Sequence, residues 1–368
     1  MKKILCIINN LGSGGAQRQL VNLAIGFHNK GYEVNFLIYA ASVSHYYYDT
    51  ILQTGMKIIE VDEDNYALRV LKMRKVIHQY QPDVILAFLE VAGFVAEMSS
   101  ILPHKWKLIV GERSADPKKL TSRRLRFFLH CHRYADYVVA NSQANIDIIK
   151  QVAPEIPTSK FRVIYNGLDP ANFNVAPDFS FCSNPKRNII VASSHRYVKN
   201  LRNLIEAVRL LSPHDKDAIH ISWYGNQHLD DNSFEENQKL IASYQLEECF
   251  TFYPPTLEIY TYMRQADAVA LFSHFEGFPN ALCEGMMLAK PIIATTVSDI
   301  PLIVKEPENG FLCNSKDVDS IKEALHRFIL TSATELENMG QRNREKALAL
   351  FDQNTILDQY EHLFSSQQ

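Results

Sequence analysis

Short apolar runs alternate along the chain with segments whose apolar residues recur at helical spacing. The first run, residues 4–8, precedes a stretch in which Leu20, Leu23 and Phe27 share one helical face. This alternation predicts β-α-β units around a parallel sheet. In the first half, strands are predicted at residues 4–8, 34–38, 57–61, 83–88, 107–110, 137–140 and 161–164.

The alternation stops between residues 166 and 187, where Pro170, Pro177 and Pro185 interrupt any periodicity. We interpret this stretch as a linker. Strands are predicted again at residues 188–192, 219–223, 249–252, 268–272 and 291–294. The predicted fold class is α/β, with two Rossmann-like domains that face each other across a cleft.

The predicted domains are residues 1–165 and 188–350, joined by the linker 166–187. A final helical segment, 351–368, follows, and its packing back onto the first domain is left open.

Composition and charge exclude several classes of protein. The 368 residues are 46% hydrophobic and 21% charged, which excludes a mainly disordered chain. The formal net charge of −3 argues against a nucleic-acid-binding protein. Six cysteines without a C-x-x-C pair, and a first apolar run too short for a signal peptide, predict a cytoplasmic location. The apolar stretch 86–102 contains Glu90 and Glu97, so no membrane-spanning helix is expected.

The densest group of candidate residues is the sequence HFEGFPNALCE, from His274 to Glu284. It follows a predicted strand and opens a predicted helix, with Pro279 in the first turn. Backbone N–H groups at such a helix start bind anions or sugar hydroxyls. The alternative is an acidic first turn that merely complements the helix dipole. The residues between Glu276 and Glu284 argue against that alternative.

Several motifs together resemble one family, the GT-B retaining glycosyltransferases of family 4. The motifs are EGFPNALCE at 276–284, KPIIAT at 290–295, NGFL at 309–312, YNGLD at 165–169 followed by Phe173, and GGAQ at 14–17. The resemblance implies a GT-B fold and retaining transfer of a hexose-type sugar from a nucleoside diphosphate sugar, with UDP favoured. The implied acceptor is a glycan or lipid-linked glycan of polysaccharide or cell-surface glycan synthesis, and no cofactor is implied.

The resemblance also assigns candidate roles at a donor site. Lys199 would bind the diphosphate, and Arg196 is the candidate substitute for a family arginine whose place is taken by Ser194. Glu276 would contact the transferred sugar, as nucleophile or as positioning group, and Glu284 would bind the ribose. The remaining assigned residues are Gly15, Gly277, Phe278, Pro279, Asn280, Ala281 and Leu282. For Lys199 and Arg196 the alternative is a solvated charge at a helix start, and for Gly15 an ordinary tight turn.

On the acceptor side, Glu112 and Arg113 stand where many family members carry a histidine. Their alternative role is a structural pairing of the two charges. Three D-x-D patterns, at 62–64, 215–217 and 317–319, match a metal-binding motif, but none lies in the donor group. We therefore predict no metal.

Basic residues repeat at helical spacing over 119–133, where a single helix is predicted. They are Lys119, Arg123, Arg126, His130 and Arg133. Such a stripe is either a solvated face or a surface that docks on anionic lipid. In the second case the protein is peripheral on the inner face of the membrane.

Two other functions stay open from the sequence. One is a nucleotide-sugar epimerase or hydrolase on the same scaffold. The other is a nucleotide-sugar-binding module without catalysis.

Overall fold

Contacts between residues divide the chain into two units. One unit comprises Met1–Gly167 and Gln353–Gln368, and the other comprises Leu168–Asp352. The computed structural model describes residues 2–40, 45–176, 179–181, 186–227 and 232–365. Part of the predicted linker, including Pro177 and Pro185, lies outside these residues.

The first unit contains a parallel sheet with the strand order β3-β2-β1-β4-β5-β6-β7. Its strands are β1 Lys3–Ile8, β2 Glu33–Ile38, β3 Ile58–Glu60, β4 Val84–Phe88, β5 Lys107–Glu112, β6 Tyr137–Ala140 and β7 Phe161–Val163. Its helices up to this point are α1 Gly15–Asn29, α2 Tyr48–Gln53, α3 Tyr66–Tyr80, α4 Glu90–Ser99, α5 Lys118–Thr121, α6 Arg123–Cys131 and α7 Gln143–Val152. All strands predicted in this half are confirmed.

Both faces of this sheet are buried, which explains why its strands are continuous apolar runs. In β1, Cys6 and Ile8 point into one core, and Leu5 and Ile7 point into another. Side chains of successive strand residues face opposite sides of a sheet, so each buried strand supplies both cores.

The second unit contains a parallel sheet with the order β10-β9-β8-β11-β12-β13. Its strands are β8 Arg187–Ala192, β9 Ile219–Tyr224, β10 Phe250–Tyr253, β11 Ala268–Leu271, β12 Ile292–Thr295 and β13 Gly310–Cys313. Its helices are α8 Leu201–Arg209, α9 Pro213–Asp217, α10 Ser233–Ser243, α11 Ile259–Arg264, α12 Asn280–Met287, α13 Ile300–Ile303, α14 Val318–Leu330 and α15 Ala333–Phe351. The prediction of two Rossmann-like α/β domains is confirmed.

The edge strand β13 was not predicted, because it is four residues long and begins with a glycine. A Cβ on Gly310 would lie 2.5 Å from the Ile292 carbonyl oxygen, so β13 pairs with β12 only with glycine at this position.

The last helix, α16 Gln353–Ser365, belongs to the first unit. Leu357, Tyr360 and Phe364 share a hydrophobic core with Phe27 of α1. The Phe27 and Phe364 ring centroids are 5.1 Å apart. The first core is therefore completed by residues that follow the second unit in the sequence.

The single helix predicted over residues 119–133 is wrong. The segment forms α5 and α6, followed by the 3-10 turn His132–Tyr134. Ser122 separates the two helices with an extended backbone (φ −72°, ψ 117°), and its side chain accepts a hydrogen bond from the Leu125 N–H. A serine that caps a new helix start has ended the preceding helix. No helix among the described residues is long and apolar enough to cross a bilayer.

Candidate functional site

Two loops at the carboxyl edge of the second sheet hold the candidate donor-site residues. The loop after β8 carries Arg196 and Lys199, and the loop after β11 carries Glu276. The two strands are hydrogen-bonded neighbours, so their loops start side by side. A 2.8 Å hydrogen bond from the His274 N–H to the Val198 carbonyl joins the loops. Ligands of open α/β sheets bind at this edge.

Lys199 and Glu276 form an ion pair, with 2.6 Å between Nζ and Oε1. The two side chains are 21% and 11% exposed, so solvent screens the pair less than it would screen a surface pair. Ser273 Oγ donates a second hydrogen bond of 2.6 Å to the same oxygen. Within the described part of the chain, Oε2 has no hydrogen-bond partner. The carboxylate is therefore oriented through one oxygen and keeps the other for a ligand.

Arg196 lies immediately before the short 3-10 turn Tyr197–Lys199, and its side chain is exposed. Its carbonyl accepts a 2.8 Å hydrogen bond from the Lys199 N–H. Asn200 follows with a left-handed backbone (φ 62°), which turns the chain into α8. Arg196 thus shares the turn with Lys199, but its side chain has no ion-pair partner among the described residues.

The start of α12 offers fewer free amides than the sequence analysis assumed for residues 277–282. The Asn280 N–H donates to the Phe278 carbonyl, and the Leu282 N–H donates to the Pro279 carbonyl, each at 3.0 Å. Pro279 stands just before α12, not within its first turn, and has no N–H. Two of the predicted donors are thus used inside the turn itself.

Helix α12 packs closely on the strand that precedes it. A Cβ on Gly285 would lie 2.7 Å from Val269 of β11, so a side chain here would push the helix off the sheet. Glu284, one residue earlier, is 5% exposed. Phe278 is also buried, with its ring 5.8 Å from that of Phe351. The Phe278 side chain therefore serves packing.

Gly15 lies in the first unit, as the first residue of α1. Behind it, the Gln17 amide donates to the side-chain oxygens of Asn9 and Asn10 at 3.3 and 3.4 Å. The turn between β1 and α1 is thus fixed by side chains, and Gly15 is exposed at its end.

In the first unit, Glu112 lies within a buried charged cluster. The Lys119 ammonium contacts the Glu112 carboxylate and lies 3.3 Å from Glu90. The His132 ring lies 2.6 Å from Glu97 through Nδ1 and 3.3 Å from Glu112 through Nε2. Lys119, Glu112, His132 and Glu97 are each at most 2% exposed. The Glu112 carboxylate is therefore paired internally, with Lys119 and His132 and not with Arg113.

The charges in this cluster stabilise one another. Burial alone disfavours the charged form of His132, but the Glu97 and Glu112 carboxylates raise its pKa to about 10. Burial likewise opposes ionisation of Glu112, yet Lys119 and His132 hold the pKa of that carboxyl well below its usual range. Burial dominates at Glu97 and raises its pKa. The cluster thus contains two cations facing Glu112.

Arg113 joins the end of β5 to distant parts of the first unit. Its guanidinium lies 3.9 Å from the centre of the Phe88 ring. It donates hydrogen bonds to the Tyr360 hydroxyl at 2.5 Å and to Asn166 Oδ1 at 3.4 Å. Arg113 is therefore held by α16 and by the chain segment that leaves the unit.

Among the residues described here, no three His, Cys, Asp or Glu side chains are arranged to hold a metal ion. One D-x-D pattern has a structural use: Asp317 caps α14 by accepting hydrogen bonds from the Asp319 and Ser320 N–H groups. Asp215 of another pattern lies 3.0 Å from His326.

Two family models match the chain, one for most of each unit. The model "Glycosyltransferase Family 4" matches residues 13–172, and the model "Glycosyl transferases group 1" matches residues 178–346. The chain belongs to the GT-B glycosyltransferases of the family 4 type.

Relatives of this glycosyltransferase are distant but match over most of their length. An uncharacterized glycosyltransferase from Haemophilus influenzae is 23% identical over 89% of this chain and 91% of its own. The N-acetylgalactosamine-N,N'-diacetylbacillosaminyl-diphospho-undecaprenol 4-alpha-N-acetylgalactosaminyltransferase of Campylobacter jejuni is 24% identical, with 80% and 81% covered. The crystal structure of Anabaena Alr3699/HepE in complex with UDP and glucose has a TM-score of 0.85 at 21% identity, covering 100% of both chains. It has the same fold.

The basic stripe of the glycosyltransferase is smaller than the sequence analysis predicted. Lys119 is 2% exposed because it is the counter-charge of Glu112, so its place in the stripe was wrong. Arg123, Arg126 and Arg133 are exposed. Beside them, Phe127 of α6 is 55% exposed. His130, the remaining member of the predicted stripe, is 38% exposed and lies 2.6 Å from the Glu155 carboxylate. The stripe thus reduces to Arg123 and Arg126 of α6 and Arg133 just after it, and these three arginines with Phe127 are defined here as the α6 surface.

Neither Ser273 nor the pairing of Glu97 with His132 in the glycosyltransferase was predicted from its sequence. Ser273 directly precedes the motif at 274–284, so its position in the sequence could have identified it as a site residue. Glu97 and His132 are 35 residues apart, and no local pattern connects them.

Proposed function

We propose that this glycosyltransferase is a retaining enzyme that moves a hexose-type sugar from a UDP-sugar to a glycan or lipid-linked glycan. The observation that carries the proposal is the Lys199–Glu276 pair at the sheet edge, 2.6 Å between charged atoms. HepE, which shares the fold, has been crystallised with UDP, with UDP and glucose, and with UDP-glucose. The name of the Campylobacter jejuni relative describes transfer to a diphospho-undecaprenol-linked sugar.

Lys199 supplies the positive charge that the reaction needs. The bond between the anomeric carbon and the diphosphate breaks, a bond to the acceptor oxygen forms, and the hydroxyl proton passes to the leaving diphosphate. Negative charge grows on the diphosphate as it leaves, and a fixed cation stabilises that charge in a site of restricted solvent access. The Lys199 side chain, 21% exposed, is held in place by Glu276 before the donor arrives.

Glu276 is proposed as a positioning and electrostatic group. A retaining glycosidase needs two carboxyl groups about 5 Å apart, one of them the nucleophile. Glu276 accepts hydrogen bonds from Lys199 and Ser273. The free Oε2 is suited to accept a hydrogen bond from a sugar hydroxyl. Glu284, Gly15, Arg196 and the amides at the start of α12 complete the proposed donor site.

We further propose that no metal is required, because Lys199 meets the leaving charge that a divalent ion meets in other enzymes. The acceptor side stays with Glu112 and Arg113 in the first unit. There the proposal assigns Glu112 to support of the β5 end, since its carboxylate is paired internally.

A thermal-shift panel of UDP, GDP, ADP and their sugar conjugates, with and without EDTA, tests the donor site. A ligand at 100 times its dissociation constant adds about 2.7 kcal/mol of stability. We expect stabilisation by the uridine compounds, unchanged by EDTA. Stabilisation by none of the nucleotides would overturn the proposed function, and an EDTA-sensitive shift would overturn the metal-free donor site.

The α6 surface is proposed to dock on anionic lipid at the cytoplasmic face of a membrane. Arg123, Arg126 and Arg133 are exposed, and each basic residue near such a surface contributes about 1 kcal/mol. Phe127, 55% exposed, adds an apolar side chain of the kind that enters the headgroup region. Docking there would bring the first unit to a lipid-linked acceptor.

Sedimentation with phosphatidylglycerol and phosphatidylcholine vesicles tests this surface. We expect binding to the anionic vesicles alone, and roughly fivefold weaker binding for each arginine changed to glutamine. Lys239→Gln, on α10 of the second unit, is the matched control and should bind as the parent does. Equal binding to both kinds of vesicle would contradict the proposal.

A further inference from the structure

A cavity of about 500 Å³ opens at the carboxyl edge of the second sheet. Residues from the loops after β8, β11 and β13 and from the starts of α8 and α10 line it. Tyr197 is two residues before Lys199, and His274 is two residues before Glu276. Neither member of that ion pair lines the cavity. The cavity is thus a neighbour of the proposed donor site with its own set of side chains.

Asn237 of α10 is the unusual residue of this cavity. It is 7% exposed, and its side-chain amide has no hydrogen-bond partner among the described residues. The residue as a whole is buried, while its amide keeps some contact with solvent at the cavity, where a ligand can reach it. His274 adds a second polar group, since its Nδ1 is buried and unpartnered, and buried polar atoms in folded proteins are nearly always paired. The fold uses neither group, which indicates a ligand with hydrogen-bonding groups.

Positive charge lies around these neutral groups. Arg202 of α8 and Lys316 after β13 line the cavity and are exposed. Neither makes an ion pair within the described residues. Burial, followed by the nearby Lys316 ammonium, lowers the pKa of His274 and keeps its ring neutral. A ligand here would meet two unpaired cations, a neutral imidazole and one carboxylate, that of Glu236. The positive charges outnumber the negative one, which favours an anionic group on a polar molecule.

An aromatic side chain completes the lining. Tyr197 is 69% exposed, and its ring lies 5.4 Å from that of His274. The carbon face of a sugar ring packs on such a side chain, while planar amide and carboxylate groups bond its hydroxyls. Asn237 and Glu236, neighbours at the start of α10, supply those planar groups. Inorganic phosphate alone would use the cations and leave the ring and the amide without a role.

We propose that this cavity binds a saccharide unit that bears an anionic group, at a site separate from the donor site. The proposal goes beyond the transfer reaction, and it does not need the donor site to function. The anionic group is a carboxylate, as in a hexuronic acid, or a phosphate ester, and the experiment separates the two.

The test is ligand-observed NMR titration of the full chain with methyl β-D-glucuronide, glucose 6-phosphate and neutral methyl β-D-glucoside. UDP is added at saturation to fill the donor site. We expect at least one of the anionic sugars to bind with a dissociation constant on the order of 1 mM, and the neutral sugar about fivefold more weakly. The anionic sugar that binds identifies the group.

Two variants place the binding in the cavity. Asn237→Ala removes the buried amide, and Arg202→Gln combined with Lys316→Gln removes both cations without touching the core. Each should weaken binding at least about fivefold, a loss of about 1 kcal/mol. Lys239→Gln, on the exposed side of α10, is the matched control.

The proposal is overturned if neither anionic sugar binds, if the neutral sugar binds equally well, or if both variants bind as the control does. A preference for UDP at the cavity would also overturn it: the sugar would then bind in a parallel titration without UDP and fail to bind once UDP is present. Failure of the donor site has a different signature: UDP then gives no stabilisation of the unmodified chain.

Discussion

Glu276 receives two hydrogen bonds at one oxygen, from Lys199 and from Ser273, each at 2.6 Å. Both donors restrict the rotation of the carboxylate. A side chain fixed in this way is prepared for a ligand before binding, so less order has to be created in the reaction. At the scale of single residues, the site is therefore an oriented charge pair and not a set of independent side chains.

Replacement of Glu276 by glutamine keeps the shape of the side chain and removes its charge. We expect kcat to fall about 100- to 1000-fold, the usual loss when one preorganised electrostatic group is removed. The dissociation constant of the donor should change much less. Initial rates and donor titrations measure the two effects, with Glu323→Gln, exposed on α14, as control. Wild-type turnover in Glu276→Gln would remove Glu276 from the mechanism.

Lys199 and Arg196 share one turn, but only Lys199 is held by a partner, so their replacement should have unequal effects. Lys199→Gln should weaken donor binding by about tenfold or more, since a hydrogen bond to a charged group contributes about 1.5–3 kcal/mol. Arg196→Gln should cost less. Isothermal titration with the preferred donor compares them, and a larger effect at Arg196 would reverse the assignment.

At the scale of elements, the buried cluster joins α4, β5, α5 and the turn after α6 through four side chains. They are Glu97, Glu112, Lys119 and His132. The end of β5 is thereby fixed from two sides. The cluster holds the carboxyl end of β5, which Arg113 follows directly.

The raised pKa of His132 makes the stability of the first unit depend on pH. A pKa of about 10 in the folded chain, against an ordinary value of 6.5, means that the folded state keeps a proton which the unfolded state has lost. This contribution to the free energy of unfolding is complete below about pH 6.5 and is lost as the pH rises to 10. The free energy of unfolding then falls with a slope of up to about 1.4 kcal/mol per pH unit. His132→Gln should remove this slope.

Urea unfolding between pH 6.5 and 10 measures this effect. Fluorescence of Trp106 reports the first unit when Trp223, in the second, is replaced by phenylalanine. His28→Gln, at the end of α1, is the control and should retain the slope. An unchanged slope in His132→Gln would show that other groups cause the pH dependence.

Sequence predicts an element well when its signal is local and poorly when the signal comes from a partner. The apolar runs of both sheets are local signals, and they placed every strand except β13, whose four residues from Gly310 carry too little pattern. The motif from Glu276 to Glu284 is also local, and it located the loop before α12. Lys119 was assigned to the exposed basic stripe because no local pattern shows its pairing with Glu112. Asn237 was not singled out because the sequence does not show that its side chain has no hydrogen-bond partner among the described residues.

At the scale of the whole molecule, the chain builds two cores, and one of them uses residues from both ends of the sequence. Phe27 near the start packs with Tyr360 near the end, with 6.5 Å between ring centroids. Arg113 adds a hydrogen bond to the same tyrosine. The first unit therefore depends on the last helix, although almost two hundred residues of the second unit intervene.

Each unit should respond to a cavity in its own core. Leu357→Ala, in α16, should destabilise the first unit by about 2–5 kcal/mol, and Leu325→Ala, in α14, should do the same to the second. Denaturant unfolding followed through Trp106 or Trp223 separates the two responses, since each unit contains one tryptophan. If each variant shifts both signals equally, the chain unfolds as one cooperative body.

The Lys199–Glu276 pair has a further consequence for the resting enzyme. A lysine in a phosphate site usually attracts whatever anion is abundant in its surroundings. Here the protein supplies its own counter-ion, so chloride and inorganic phosphate meet little uncompensated charge. In the proposed reaction, the diphosphate of the donor shares Lys199 with Glu276, and the carboxylate, still held by Ser273, contacts the sugar through Oε2. The pair thus favours a donor that makes many contacts over a small anion, and donor binding should depend only weakly on ionic strength.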